Sequence, residues 1–201
     1  MKQTIIIEDP REQKLRKELE NRTDIKAERI KRLLNKPDLI KKEHSPVKIL
    51  VDQIIKLPRF ANFDWVDNIP RIVTVEQNFD ILNSPKDHPS RRETDTYYLD
   101  AIHLLRPQMT VMWYFYLRNP EVLERLKKDG EVGALAAGTV FRKDEIDRKH
   151  APYFHQIDGL YICRKDKKII AQKDLENVLI DVAQSIFGND IEYKFAVDSF
   201  P

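Results

Sequence analysis

Residues 141–160, FRKDEIDRKHAPYFHQIDGL, constrain the fold more than any other stretch of this chain, because they read as a strand, a charged loop and a second strand. The first strand, expected from Gly138 to Arg142, ends on an arginine. From Tyr153 to Cys163 aromatic and polar residues alternate at the two-residue period of a strand, so that Phe154, Gln156 and Asp158 share one face. An arginine facing a row of phenyl, amide and carboxylate groups suits a small anionic ligand with an aromatic part, such as a nucleotide.

Other segments fill in an α+β plan. Arg71 to Val75 is a short β-branched run, and Ile191 to Val197 alternates apolar and polar residues, so both are predicted strands. Leu175, Val178, Leu179, Val182, Ala183, Ile186 and Phe187 recur at helical spacing, with Asp174 to cap the start and Gly188 to end the helix. Ser45 and Pro46 form an N-cap and first-turn pair for a helix through Val47, Leu50, Val51, Ile54 and Ile55, stopped before Pro58. From Arg11 to Lys42 the chain is largely charged. Leu15, Leu19, Ile25, Ile30, Leu33 and Leu34 are its thinly spaced apolar residues, which predicts an amphipathic helical arm over 1–44, packed along one edge of a core over 45–201. A basic arm touching RNA is the alternative use of that segment. Short connections favour an antiparallel sheet with helices on one side.

Composition removes several function classes. With 35 Lys and Arg against 33 Asp and Glu, the net charge is only +2, and no overall field announces nucleic acid or membrane binding. The one cysteine, Cys163, has no partner in the chain and sits in an apolar run, which predicts a buried structural thiol in a reducing cytoplasm. No apolar run reaches the length of a membrane span, and the N-terminus lacks the apolar core of a signal peptide. Neither GxxxxGK[ST] nor GxGxxG is present, and five glycines leave little material for a backbone phosphate cradle. The histidines at 44, 88, 103, 150 and 155 lack metal-site spacing, and no GxSxG elbow occurs. If phosphates bind, arginines must hold them.

Three blocks then carry a resemblance. They are NFDILNSPKDHPSRRETDTYYL from Asn78 to Leu99, HLLRPQMT from His103 to Thr110, and GTVFRKDEIDRKHAPYFHQIDGL from Gly138 to Leu160. In order and spacing they resemble the NFDaLN-x-P-x-DHPaR-x-x-x-DTFyL segment, the LLRTHTS segment and motif 2 of the phenylalanyl-tRNA synthetase alpha chain, a class II aminoacyl-tRNA synthetase. The resemblance runs from about Ser45 to Pro201 and implies an antiparallel sheet flanked by helices. It further implies binding of ATP, Mg2+, phenylalanine and tRNA, and work beside a beta chain in an oligomeric complete enzyme. The implied reaction is attack of the amino-acid carboxylate on the α-phosphate of ATP, followed by transfer of the acyl group to tRNA. Little covalent help is needed for this; positioning and charge stabilisation at the phosphate dominate.

The resemblance also implies roles for single residues. Arg142 matches the motif 2 arginine, whose planar fork suits the α-phosphate and the incoming carboxylate together. Asp144 and His150 match motif 2 loop positions near ATP, and Phe154 matches the ring that stacks on adenine. Gln108, Thr110, Gln156, Asp158 and Phe200 fall on amino-acid-binding positions. Three depart from the family pattern: Gln108 stands for His, Thr110 for Ser and Asp158 for Glu, the last with a reach shorter by one methylene. Without the resemblance, Arg142 would read as a surface ion pair, His150 as a loop cap and Phe154 as a core ring. The family continues past FP into motif 3, whereas Pro201 ends this sequence. The expectation is a piece of a longer alpha chain that does not form adenylate by itself, with a non-catalytic paralogue binding tRNA, an amino acid or a partner subunit as the alternative. The run Met112 to Tyr116 is a candidate partner surface, with core packing as the competing reading.

Overall fold

Strands β5 (Glu131–Phe141) and β6 (Tyr153–Cys163) form the expected hairpin, antiparallel from Glu131 opposite Cys163 to Phe141 opposite Tyr153. The computed structural model describes residues 1–143, 148 and 150–196. β5 begins seven residues earlier than the sequence suggests because its first half, EVGALAA, is rich in alanine and glycine, which rank low for strands. Those small residues are required by their neighbours. A Cβ at Gly133 would lie 2.7 Å from the Phe63 ring, and one at Gly138 would overlap the Arg106 guanidinium.

The sheet order is β1-β2-β5-β6, with β1 (Thr4–Ile6) and β2 (Asp64–Asp67) both parallel to the chain direction of their neighbours and only β5–β6 antiparallel. The α+β class holds, and the sheet is mixed rather than wholly antiparallel. Strands of three and four residues leave no periodicity to read. A separate two-stranded ladder pairs β3 (Ile72–Thr74), inside the expected RIVTV run, with β4 (His103–Leu105). The expected strand at 191–197 does not form over its described part, 191–196. Alternation makes a strand only where a ladder partner accepts it, and Tyr193 and Phe195 instead pack edge to face on each other, their centroids 5.7 Å apart.

The charged N-terminal segment makes two helices, α1 (Pro10–Glu20) and α2 (Ile25–Leu34), started by Asp9 and Asp24, whose carboxylates accept backbone N–H groups. Leu19, Ala27, Ile30, Leu33 and Leu34 are buried with Ile72, Leu105 and Phe141, so both helices share a core with the β3–β4 ladder and the end of β5. Ile25 is the exception, 81% exposed, because it sits on the opposite side of α2 from Ile30. Farther along the hairpin, α6 (Gln172–Phe187) lays Val178, Val182 and Ile186 against Ile54 of α3 (Pro46–Ile55) and Ile157 of β6, leaving Leu175, Leu179 and Phe187 exposed. Asp174 lies inside this helix rather than at its cap, and its carboxylate accepts the Ala171 N–H at 2.8 Å. No helix among the described residues is long and apolar enough to cross a membrane.

Of the run Met112 to Tyr116, which forms α4, Met112 and Tyr116 are fully buried and belong to the core. The Tyr116 hydroxyl donates to Asp64 at 2.7 Å, and Arg125 of α5 (Pro120–Asp129) pairs with the same carboxylate. Cys163 is half-exposed, not buried, because it ends the edge strand β6, and its thiol donates to the Lys168 carbonyl at 3.2 Å. Ser45 occupies the N-cap of α3 as expected, yet its side chain makes no capping bond and its hydroxyl is buried without a partner. Removing an N-cap serine ordinarily destabilises by about 1 kcal/mol. Here Ser45→Ala should leave the urea midpoint unchanged or raise stability by up to about 1 kcal/mol, since an unsatisfied buried hydroxyl is removed; a clear loss would show that the hydroxyl caps α3 in solution.

Candidate active site

Alternation along β6 places Phe154, Gln156 and Asp158 on one side of the hairpin, opposite Val140, Gly138 and Ala136 of β5. The LLRPQMT segment crosses in front of them. β4 ends at Leu105, and a short 3-10 turn over Met109–Val111 leads into α4. Where these meet, a cavity of about 660 Å3 is bordered by Gln108, Thr110, Trp113, Arg142, Gln156 and Asp158, with the loop from Leu82 to Ser90 and the pair Asp95 and Thr96 closing it.

The polar groups are held by specific bonds. The Thr110 hydroxyl donates to Asp158 Oδ2 at 2.7 Å, and the Trp113 indole N–H points at Asp158 Oδ1 from 3.4 Å. The Gln156 side-chain oxygen accepts the Met109 N–H at 2.9 Å, which leaves its amide N–H group to face the cavity. Gln108 donates to the Asn78 carbonyl at 3.2 Å, which keeps its oxygen available. Arg142 Nε donates to the Pro107 carbonyl at 3.1 Å, and its guanidinium lies 5.1 Å from the Phe154 ring centroid. One edge of the fork is thus fixed to the LLRPQMT segment and one face is stacked.

Five residues expected at a site therefore border one cavity: Gln108, Thr110, Arg142, Gln156 and Asp158. Phe154 stands behind it, against Arg142. His150 is exposed at the start of the approach to β6, away from the cavity wall. Asp144 and Phe200 lie outside the described residues. Trp113 was not singled out as a site residue; it stood only within the apolar run. Its spacing of one helical turn from Thr110 is the signal that could have placed both side chains on the same carboxylate. Neighbouring His155 faces away, where Nε2 accepts the Leu39 N–H at 3.1 Å, so that residue ties the N-terminal segment to β6.

Burial pushes the Asp158 carboxyl above the usual aspartate range, against the opposing pull of its hydrogen bonds from Thr110 and Trp113. With a folded-state value above the unfolded one, the stability this group contributes is complete below the ordinary aspartate range and is lost as pH rises through the raised value. A cationic ligand favours the carboxylate and opposes that shift. Binding of an α-ammonium group should therefore release a proton in the window between the ordinary and raised values, with affinity rising with pH across it. Calorimetry in two buffers of different ionisation enthalpy measures this, and Asp158→Asn should abolish it; affinity that falls as pH rises would exclude Asp158 as the ammonium partner.

A four-stranded mixed sheet thus carries a hairpin with an arginine and alternating polar residues, and a cavity lies between that hairpin and the LLR segment. A family model described as tRNA synthetases class II core domain (F) matches residues 29–201, and the chain belongs to that family. The match begins within α2. Among curated relatives, the mitochondrial phenylalanine–tRNA ligase of Saccharomyces cerevisiae is 35% identical over 151 residues, covering 71% of this chain and 31% of that protein. The phenylalanine–tRNA ligase alpha subunit of Mycoplasmoides gallisepticum is 30% identical over 164 residues, covering 82% of this chain and 45% of its own length. The chain thus spans less than half the length of these relatives. A solved pyrrolysyl-tRNA synthetase from Desulfitobacterium hafniense shares the fold, with a TM-score of 0.53 at 20% identity over 70% of this chain and 46% of that one.

Proposed function

We propose that this chain carries the amino-acid-activating site of a phenylalanine–tRNA ligase alpha subunit. The observation that supports it most directly is the convergence of Arg142, Gln108, Thr110, Gln156 and Asp158 on one cavity. In this reading Asp158, steadied by Thr110 and Trp113, holds the ammonium group, and the amides of Gln108 and Gln156 orient the substrate. Arg142 draws the carboxylate and the α-phosphate of ATP together while Phe154 stacks on adenine. The carboxylate oxygen forms a bond to phosphorus as the bond to pyrophosphate breaks, and the acyl group then passes to tRNA. Asp144, His150 and Phe200 are further candidates on the strength of the motif alone. Among the described residues no group of three or more His, Cys, Asp or Glu could hold a metal ion, so no ligand is assigned to Mg2+ and no step is routed through it. The names of the bacterial relatives support a complementary beta chain as partner.

Thermal shift of the chain with phenylalanine, tyrosine and other amino acids, with and without ATP, tests the reading. Phenylalanine should stabilise most, because a site built for a hydroxylated ring rejects one lacking it and a purely apolar slot does not reward the hydroxyl. Greater stabilisation by another amino acid would reassign the substrate.

A further inference from the structure

We propose that His155 is a positioning residue for the candidate active site: from the reverse of β6 it clamps that strand to the link between α2 and α3, and the clamp holds Phe154 and Gln156 in place in front. The inference rests on the activating role proposed for that cavity. Successive side chains of a strand leave opposite faces, so Phe154 and Gln156 turn toward Arg142 and the cavity while Tyr153 and His155 turn away. β6 is the last strand in the sheet order and has a ladder to β5 alone. Its cavity end is therefore held on one side only, and whatever grips its reverse face sets the tilt of the residues in front.

The side chain of His155 is 8% exposed, and its Nε2 accepts the Leu39 N–H at 3.1 Å, with Thr139 Oγ1 3.3 Å away on β5 and Asp38 Oδ1 at 3.7 Å. Asp38 is itself fixed. Arg71 donates to its Oδ2 at 3.1 Å and to the Leu34 carbonyl, and its Oδ1 accepts the Ile40 N–H. Two residues earlier along β6, Lys36 Nζ lies 5.8 Å from the Tyr153 ring centroid. The link from α2 to α3 thus meets the reverse of β6 at Tyr153 and His155, the positions that interleave with Phe154 and Gln156.

The ring works here as an acceptor, since a backbone N–H aimed at Nε2 requires that nitrogen to be unprotonated. Burial holds the imidazole below the usual histidine range; Arg71 and Arg106 act in the same sense and Asp38 opposes them. What the clamp needs is therefore a lone pair at the end of a short side chain. Glutamine can present one on its amide oxygen, and leucine fills similar space without one. Coupling across the strand is reciprocal: an attachment that favours ligand in front is itself strengthened when ligand binds, and by no more than the free energy it contributes.

The test is calorimetry of phenylalanine and ATP with the 201-residue chain, His155→Leu and His155→Gln, together with hydrogen exchange at the Leu39 amide. His155→Leu should weaken both ligands about fivefold to tenfold, the effect of losing one uncharged hydrogen bond, and His155→Gln should bring affinity back to within about twofold of the parent. In the unaltered chain the Leu39 N–H, on the far side of β6 from the cavity, should exchange about fivefold more slowly once both ligands are bound. That measurement needs no variant to fold. Equal losses in both variants, parental affinity in His155→Leu, or Leu39 exchange indifferent to ligand would each overturn the positioning role. If the chain binds both ligands and one of those results is found, the positioning role alone fails. If it binds neither, the activating role fails and the positioning role goes with it.

Discussion

Replacing Arg142 by alanine is expected to weaken ATP binding about a hundredfold. The guanidinium is held on one edge by the Pro107 carbonyl and on one face by Phe154, so the remaining donors are pre-aimed at the cavity. A charge-assisted hydrogen bond contributes about 1.5–3 kcal/mol, and a bidentate grip on phosphate sits at the top of that range, close to the ~2.7 kcal/mol that two decades of affinity represent. Lysine should recover only part of the loss, because a point charge replaces a planar fork. Calorimetric titration of ATP into the parent chain, Arg142→Ala and Arg142→Lys measures this. An unchanged Kd in the alanine variant would reduce Arg142 to a strut that fastens the LLRPQMT segment to the end of β5.

The second large effect is on stability. Arg106 is almost wholly buried, and among the described residues no carboxylate pairs with it; its guanidinium donates to the backbone carbonyls of Thr139 at 2.9 Å and of Ile69 and Pro70. Burial, reinforced by Arg71, pushes its pKa down to about 10, which still leaves it charged at neutral pH. Two effects compete. Removing a buried charge relieves desolvation, which by itself makes an apolar replacement neutral or stabilising. Three carbonyls left without donors act the other way, at about 1–3 kcal/mol each. The second should prevail because Arg106 also fills the space opposite Gly138, where no Cβ fits. Arg106→Met is expected to lower the unfolding free energy by about 3–5 kcal/mol in urea titrations. A neutral result would mean that water or a backbone shift satisfies those carbonyls and that the charge is a net burden.

These two arginines show how differently residues of one type reveal themselves. Arg142 was legible because its role depends on local order: it ends a strand, and its ligand-facing neighbours recur every second residue along β6. Arg106 lies in an equally recognisable segment, yet its burial depends on Ile69, Pro70 and Thr139, which are distant in sequence. Asp158 was read as an amino-acid-binding residue, but its bonds to Thr110 and Trp113, and the burial that raises its pKa against them, exist only because α4 starts against the face of β6.

The sequence by itself determined the β5–β6 hairpin, the helices α3 and α6, the amphipathic character of α1 and α2, and five of the side chains that gather at the cavity, Gln108, Thr110, Arg142, Gln156 and Asp158. Each of these follows from local periodicity, capping residues or a motif in which neighbours along the chain are neighbours in space. Only the tertiary structure decided that β1 and β2 join the sheet in parallel, that 191–196 form no strand, that Ser45 holds its place without a capping bond, and that Cys163 reaches the surface. Those outcomes depend on which partner accepts a backbone N–H or covers a side chain, and that partner stands tens of residues away.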